Sequence, residues 1–320
     1  MKKGDNAVNI LASMKYKGIG NAWVAKKLQK ITSIEVIVEL ISDKLKERIS
    51  VNDFIEKRES VRRELANIYH QTDGFGITAI GDSDFPQVRG LVKDADWPVV
   101  LFYKGNLELI QKQNKNIAVI GVLNPDAEVE RKERHVVTEL VKSGYSIVSG
   151  LALGCDSIAH TQTLQSNGHT IAILPSPLNQ ILPKTNLPLA RQIVDNNGLL
   201  VTEYYTQITS KYELGSRYVR RDRLQALFSD FVILSASYAE NSLGNDCGSR
   251  HAMGKAKEYG IPRGVIYNAL TDLNNPMYDL SRQIIRIDSN TVVIEDSTES
   301  IRNLINLLNR NIPKPISSLF

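Results

Sequence analysis

The sequence predicts an α/β fold: an extended Rossmann-like, doubly wound, mostly parallel sheet, preceded by a small all-helical N-terminal domain. Three observations predict it. Short apolar runs recur along the chain, among them Asn116-Ile-Ala-Val-Ile-Gly121, Ser146-Ile-Val148, Thr170-Ile-Ala-Ile-Leu174 and Phe231-Val-Ile-Leu234. They are continuous instead of alternating, as strands covered on both faces are. Helical stretches separate them, the alternation that builds parallel crossover units. Two runs lead to small-residue turns that open helices, at Ser149-Gly150 and at Cys247-Gly248-Ser249. The first N–H groups of a helix lack intrahelical partners, so such turns suit an anion.

Taken in order, residues 1–70 read as helical. Apolar residues recur at helical spacing from Ile10 to Met14, Ala22 to Leu28, Ile34 to Leu45 and Val51 to Tyr69. The Gly18-Ile-Gly20 turn resembles the hairpin of helix-hairpin-helix modules, although glycines also end ordinary helices. Gly74 to Ile80 reads as a strand closed by the turn Gly81-Asp-Ser-Asp84, and Asp96 to Gly105 and Asn116 to Gly121 supply further apolar runs. Helices are expected over about 126–143, up to Ser166, over 187–196, from Arg220 to Phe228 and from Cys247 to Tyr259. The intervening strands lie at Ser146–Val148, Thr170–Leu174, Leu199–Thr202, Phe231–Leu234 and Gly264–Tyr267. A short strand at Val292–Ile294 and a helix over Ser297–Asn309 close the chain. The expected organisation is a helical domain over 1–72, a Rossmann-like domain over 73–290, and a strand-helix extension with a tail over 291–320.

The 320 residues are enough for a large core, and 42% hydrophobic with 23% charged residues is ordinary for a globular protein. No run of about 18 apolar residues is present, so no transmembrane helix is expected. The N-terminus is positive but lacks an apolar segment behind it, so the expected location is cytoplasmic. Cys155 and Cys247 have neither metal-ligand spacing nor a disulfide framework around them, which fits a reducing compartment. Neither a metal nor a cofactor is expected. A net charge of +4 permits nucleic-acid binding without requiring it. The turn Gly121-Val-Leu-Asn-Pro-Asp126 lacks the second and third glycines of a dinucleotide fingerprint.

The candidate ligand-binding residues follow from charge clustering and from position. Arg217, Arg220, Arg221 and Arg223 lie within seven residues, with Tyr218 between them and the apolar Leu224 and Leu227 beside them. Guanidinium forks engage phosphate oxygens and a tyrosine ring stacks on a base, a combination suited to single-stranded nucleic acid. Pairing with Asp222 or Glu203 is the competing structural reading. Lys184 follows Pro183 just beyond a strand, where ligands of open parallel sheets gather. Ser149 and Gly150, and Gly248, Ser249 and Arg250, offer backbone amides and one more charge. Asp156 is read as a helix N-terminal residue favourable to the dipole, and His160 as structural. No catalytic residue is assigned.

Taken together, these elements resemble the DprA/Smf DNA-processing protein family. The resemblance runs from about Phe85 to Asn268 and rests on an ordered set of pieces. These are Trp97-Pro-Val-Val-Leu-Phe-Tyr-Lys-Gly-Asn-Leu107, Ile117 to Gly121, Ile147-Val-Ser-Gly-Leu-Ala-Leu-Gly-Cys-Asp-Ser-Ile-Ala-His160, Thr170 to Leu174, Pro183-Lys-Thr-Asn-Leu187, Leu200-Val-Thr-Glu-Tyr204 and Arg221-Asp-Arg-Leu224. The resemblance implies a basic pocket for single-stranded DNA, homodimerisation, and help in loading a RecA-type recombinase during natural transformation. It also implies that the N-terminal helices form a SAM-like or helix-hairpin-helix domain. The chain departs from the family pattern in named places. Leu123 stands where the family has the arginine of Gly-(Ser/Thr)-Arg, and Asp222 stands where the family has the asparagine of Arg-Asn-Arg. Cys247-Gly248-Ser249 replaces Ser-Gly-(Ser/Thr).

The leading expectation is therefore a non-catalytic DNA-processing protein that protects single-stranded DNA and assists recombinase loading. The alternative is a nucleotide-binding sensor or nucleoside-monophosphate hydrolase of the wider Rossmann-like superfamily, in a phage-defence setting. That class uses a Pro-Gly-Gly-x-Gly-Thr turn, which this sequence lacks, and its candidate carboxylates here are Glu203 and Glu240.

Overall fold

Continuous apolar segments become strands in the computed structural model, which describes residues 4–29, 33–69, 74–240 and 248–311. The strands are β1 (Phe75–Ala79), β2 (Val100–Gly105), β3 (Asn116–Ile120), β4 (Ser146–Ser149), β5 (Thr170–Ile173), β6 (Leu199–Thr202), β7 (Phe231–Leu234), β8 (Arg263–Ile266) and β9 (Val292–Ile294). Among the described residues they form one sheet in the order β1-β2-β6-β5-β4-β3-β7-β8-β9. The pairings of β1 with β2 and of β2 with β6 are antiparallel, and the other six are parallel. Every residue of β3 through β8 is buried, because helices cover both faces.

The helices are α1 (Asp5–Ser13), α2 (Asn21–Lys27), α3 (Ile34–Leu45), α4 (Val51–Ile68), α5 (Ala127–Lys142), α6 (Cys155–Gln165), α7 (Leu187–Asp195), α8 (Lys211–Leu227), α9 (Ser249–Glu258), α10 (Asp279–Ile287) and α11 (Thr298–Asn311). The N-terminal helices lend Ala7, Ile10, Val24, Ile37 and Phe54 to a cluster that also holds Val100, Phe102, Leu174 and Leu200 of the sheet side. Burying such residues contributes roughly 1.5–3 kcal/mol for each large side chain. This apolar seam ties the first helices to the sheet.

From β3 the chain winds outward through β4, β5 and β6. It then returns to the other side of β3 as β7 and continues to β8 and β9. The connections leaving β3 and β7 therefore diverge, and a crevice opens beyond their carboxyl ends.

Three local expectations change. The helix expected to open at Arg220 begins at Lys211, so the arginines occupy its second half. Its start is set by a reciprocal cap: Ser210 Oγ accepts from the Glu213 N–H (3.1 Å), and the Glu213 carboxylate accepts from the Thr209 N–H (2.9 Å). The turn at Ser149-Gly150 does not itself open α6, because residues 150–154 intervene, with Leu151 and Gly154 at positive φ. The nine-residue helix α10 has no counterpart among the expected elements. Cys247 and the preceding 241–246 lie outside the described residues, as does the tail from 312.

Candidate functional site

The switch-point crevice holds a cleft of about 330 Å³. Ile120, Gly121 and Leu123 approach it from the end of β3, and Ala152, Leu153 and Asp156 from the segment after β4. Pro183 follows β5, Tyr218, Arg221, Asp222 and Gln225 project from α8, and Gly248 and Ser249 stand at the start of α9. The segments after β3, β4 and β5 arrive where those strands end, and the second half of α8 closes the cleft from the side.

Arg221 is the cation at the centre of this cleft. Only 4% of it is exposed, and its Nη1 donates to the Ile173 carbonyl at 3.1 Å. Its Nε lies 3.1 Å from Asp222 Oδ1, and Nη1 lies 3.9 Å from Asp156 Oδ2. The Tyr218 ring centroid is 5.4 Å from the guanidinium carbon, a cation–π contact. Gly150 is what admits the side chain, since a Cβ there would meet Nη1 at 1.4 Å.

Beyond the Ser149-Gly150 turn, the amides that lead into α6 are already engaged. The Cys155 N–H donates to the Val122 carbonyl (3.0 Å), and the Ala152 N–H donates to Asp156 Oδ2 (3.3 Å). The Asp156 carboxylate thus fills the anion position itself. Ser149 is fully buried and its hydroxyl donates to the Val119 carbonyl at 2.7 Å. Ser249 is also buried and its hydroxyl donates to the Gly121 carbonyl at 3.0 Å, tying α9 to the end of β3.

The arginine cluster divides. Arg223 is 3% exposed and makes a two-pronged pair with Glu203, both distances 2.7 Å, while also donating to the Asp96 and Arg220 carbonyls. Arg217 is buried against Tyr204, donates to the Thr206 carbonyl at 2.8 Å and pairs with Glu213 at 2.5 Å. These two hold α8 against the segment after β6, so the sequence grouping of four binding arginines does not survive as one surface. Arg220 remains 43% exposed, with Glu203 3.8 Å away. Lys184 is exposed in the turn after cis-Pro183 and has no ion pair among the described residues. Arg250 pairs with Glu240 at 2.5 Å. The carboxylates considered for catalysis, Glu203 and Glu240, are therefore both engaged by arginines.

Buried acids set the electrostatics. Asp222 is pushed up to about 7, because burial outweighs the help of Arg221 and the nearby Asp156 opposes ionisation further. Burial likewise raises Asp156, against Arg221 and the Ala152 and Gly150 amides. Behind them Glu133 is raised to about 8, mainly by burial. His160 is lowered to about 3 by burial and by Arg221, and its Nδ1 lies 2.6 Å from Thr170 Oγ1, a structural role. Asp222, Gln225, Leu153 and Pro183 are cleft residues that charge clustering does not select. Position relative to strand ends was the signal available for Leu153 and Pro183.

This architecture is that of a Rossmann-like α/β protein with a cleft at the switch point of its sheet. The model of DNA recombination-mediator protein A matches residues 76–262, more than half the chain, and the chain belongs to that family. It is 36% identical over 167 residues to Protein Smf of Synechocystis sp., covering 52% of this chain and 40% of that protein. It is 30% identical over 178 residues to the DNA processing protein DprA of Bacillus subtilis, covering 56% and 58%. The chain thus spans about half the length of the curated relatives it matches. The fold superposes on DprA from Streptococcus pneumoniae with a TM-score of 0.69 at 23% identity, covering 95% of this chain and 98% of that one. DNA processing protein A from Helicobacter pylori, a structure that addresses that protein's single-stranded DNA binding mode, gives a TM-score of 0.58 at 26% identity over 73% and 96%. Among the described residues no helix is long and apolar enough to cross a membrane.

Proposed function

We propose that this chain binds single-stranded DNA across the carboxyl rim of its sheet and acts in DNA processing. The observation that carries the reading is the switch-point cleft, where Arg221, Tyr218 and the start of α9 meet; the exposed Lys184 follows its lining residue Pro183, and the exposed Arg220 precedes Arg221 on α8. Family membership and the likeness to the Helicobacter pylori protein support it. Phosphate contacts fall to Lys184 and Arg220 at the rim, because Arg217 and Arg223 are committed inside the fold. Backbone contact of this kind gives little sequence preference and strong salt dependence. Within this reading the chain is a cytoplasmic homodimer that shields single strands and hands them to a RecA-type recombinase.

Fluorescence anisotropy with a labelled single-stranded oligonucleotide tests the rim assignment. The Lys184→Ala, Arg220→Ala double variant is expected to weaken binding and to flatten the salt slope by about 0.7 for each phosphate that is no longer neutralised. Equal affinity and equal slope for variant and native protein would remove these residues from the interface.

A further inference from the structure

We infer that the exposed first half of α8 is a further contact for the strand outside the cleft, and that Tyr212 stacks on one of its bases there. The inference rests on the single-strand reading for the identity of the ligand.

Helix α8 is divided along its length. Residues 221–227 are all buried, whereas Lys211, Tyr212, Gly215, Ser216, Val219 and Arg220 are exposed. The cause is length. The helix turns into β7 through residues 228–230 and lines the cleft with Tyr218 and Arg221, so it runs back along the sheet toward the carboxyl rim. Seventeen residues of helix span about 25 Å and the four residues of β7 about 13 Å, so the first turns of α8 extend past the strand ends.

The projecting part is held in place. Ser210 and Glu213 cap it reciprocally. Arg217 pairs with Glu213 at 2.5 Å, donates to the Thr206 carbonyl at 2.8 Å and lies over the Tyr204 ring. An aromatic side chain carried on this turn is therefore presented from a fixed backbone.

At about 3.6 residues per turn, Tyr212, Gly215, Ser216 and Val219 share one face, with Lys211 on one flank and Arg220 on the other. Tyr212 is 89% exposed and Val219 47%, about 10 Å apart along the axis. Gly215 keeps the surface between them low. A glycine inside a helix is less stable than an alanine, and a Cβ here would meet no atom within 4 Å, so packing does not require the glycine.

This face suits a single strand. Its middle is aromatic, apolar and small, and both edges carry a cation. Glu213, the carboxylate of this half of the helix, is turned to Arg217 and to the Thr209 amide. Bases stack on aromatic side chains while phosphates meet cations beside them. A duplex keeps its base faces stacked on one another and offers none to a tyrosine. The face is also continuous with the cleft. Lys211, Gly215, Tyr218 and Asp222 form one column along α8, and the last two line the cleft. A strand leaving the cleft along this column arrives at Tyr212.

The test compares the affinities of the native chain and Tyr212→Ala for oligo-dT of about 6 and of about 16 nucleotides. The variant is expected to bind the longer oligonucleotide about tenfold more weakly, the increment of one stacked base, and the shorter one as the native chain does. Its salt slope should equal that of the native chain, because stacking releases no counterion. Tyr212→Trp should retain the full affinity. The urea midpoint of Tyr212→Ala should match that of the native chain, since so exposed a side chain supports little of the fold. Equal affinity of native chain and variant at both lengths overturns the inference and leaves the single-strand reading in place. An equal loss at both lengths also overturns it, because Tyr212 would then act on the cleft itself. A variant that keeps strand affinity but runs smaller than the native chain in gel filtration assigns the face to a second copy and overturns it as well. No strand binding by the native chain ends both readings.

Discussion

The Arg221 guanidinium occupies the space that a side chain at Gly150 would need: a methyl group there would stand 1.4 Å from Nη1 and 2.6 Å from Asp156 Oδ2. The glycine and the arginine are therefore one feature. The glycine after β4 leaves a notch, and α8, packed across the strand ends, fills it with charge. Gly150→Ala must expel the guanidinium or shift α8. It is expected to cost about 1–3 kcal/mol, as overpacked interiors do, read as a lowered urea midpoint with an unchanged slope. Single-strand affinity should fall with it. A variant as stable as the native protein would contradict the close approach.

Arg223 and Arg220, three residues apart on α8, should behave as different kinds of residue. Arg223→Ala leaves the buried Glu203 carboxylate without its two 2.7 Å partners and is expected to destabilise the chain by on the order of 3–5 kcal/mol. Arg220→Ala should change stability by less than about 0.5 kcal/mol while weakening strand binding. Denaturation and anisotropy on the two variants separate the roles. Comparable losses of stability in both would contradict the division.

Asp222 ties stability to pH. An ordinary aspartate ionises near about 3.9, whereas this one ionises at about 7 in the folded chain. Between those values the unfolded chain has released a proton that the folded chain keeps, so stability falls as pH rises through the window. The slope reaches about 1.4 kcal/mol per pH unit for one such group. His160, held neutral with its ionisation lowered to about 3, acts in the opposite sense below about 6.5. Comparing native protein with Asp222→Asn cancels that contribution. The advantage of the Asn variant in urea midpoint should grow from pH about 4 to about 7 and then level off. A difference independent of pH would show that Asp222 is not a buried acid.

Much of the fold was legible because buried parallel strands are written as continuous apolar runs. Asn116–Ile120, Thr170–Ile173 and Phe231–Leu234 are strands where the sequence places them. The true start of α8 was less legible. Its first half is polar and carries Gly215, and the signal that fixes it, the Ser210 and Glu213 cap, lies well before the expected start. Helix α10 is short and charged, with Leu280 and Ile284 its buried apolar residues. Of the candidate residues, Arg221, Gly248 and Ser249 line the cleft, and Lys184 follows its lining residue Pro183. Which arginines are free was not legible. Glu203 is twenty residues from Arg223 along the chain, and only the return of β6 beside α8 brings them together. The engaged amides after β4 depend likewise on the fold of residues 150–154 around Asp156.

The measurement closest to the central claim is a titration of the native chain with single-stranded and double-stranded oligonucleotides of one sequence at two salt concentrations. Binding to the single strand is predicted to be the tighter, to weaken steeply with salt as counterions are released, and to survive at moderate ionic strength. Equal affinity for the duplex, or single-strand binding indifferent to salt, would contradict a single-strand interface at the carboxyl rim of the sheet.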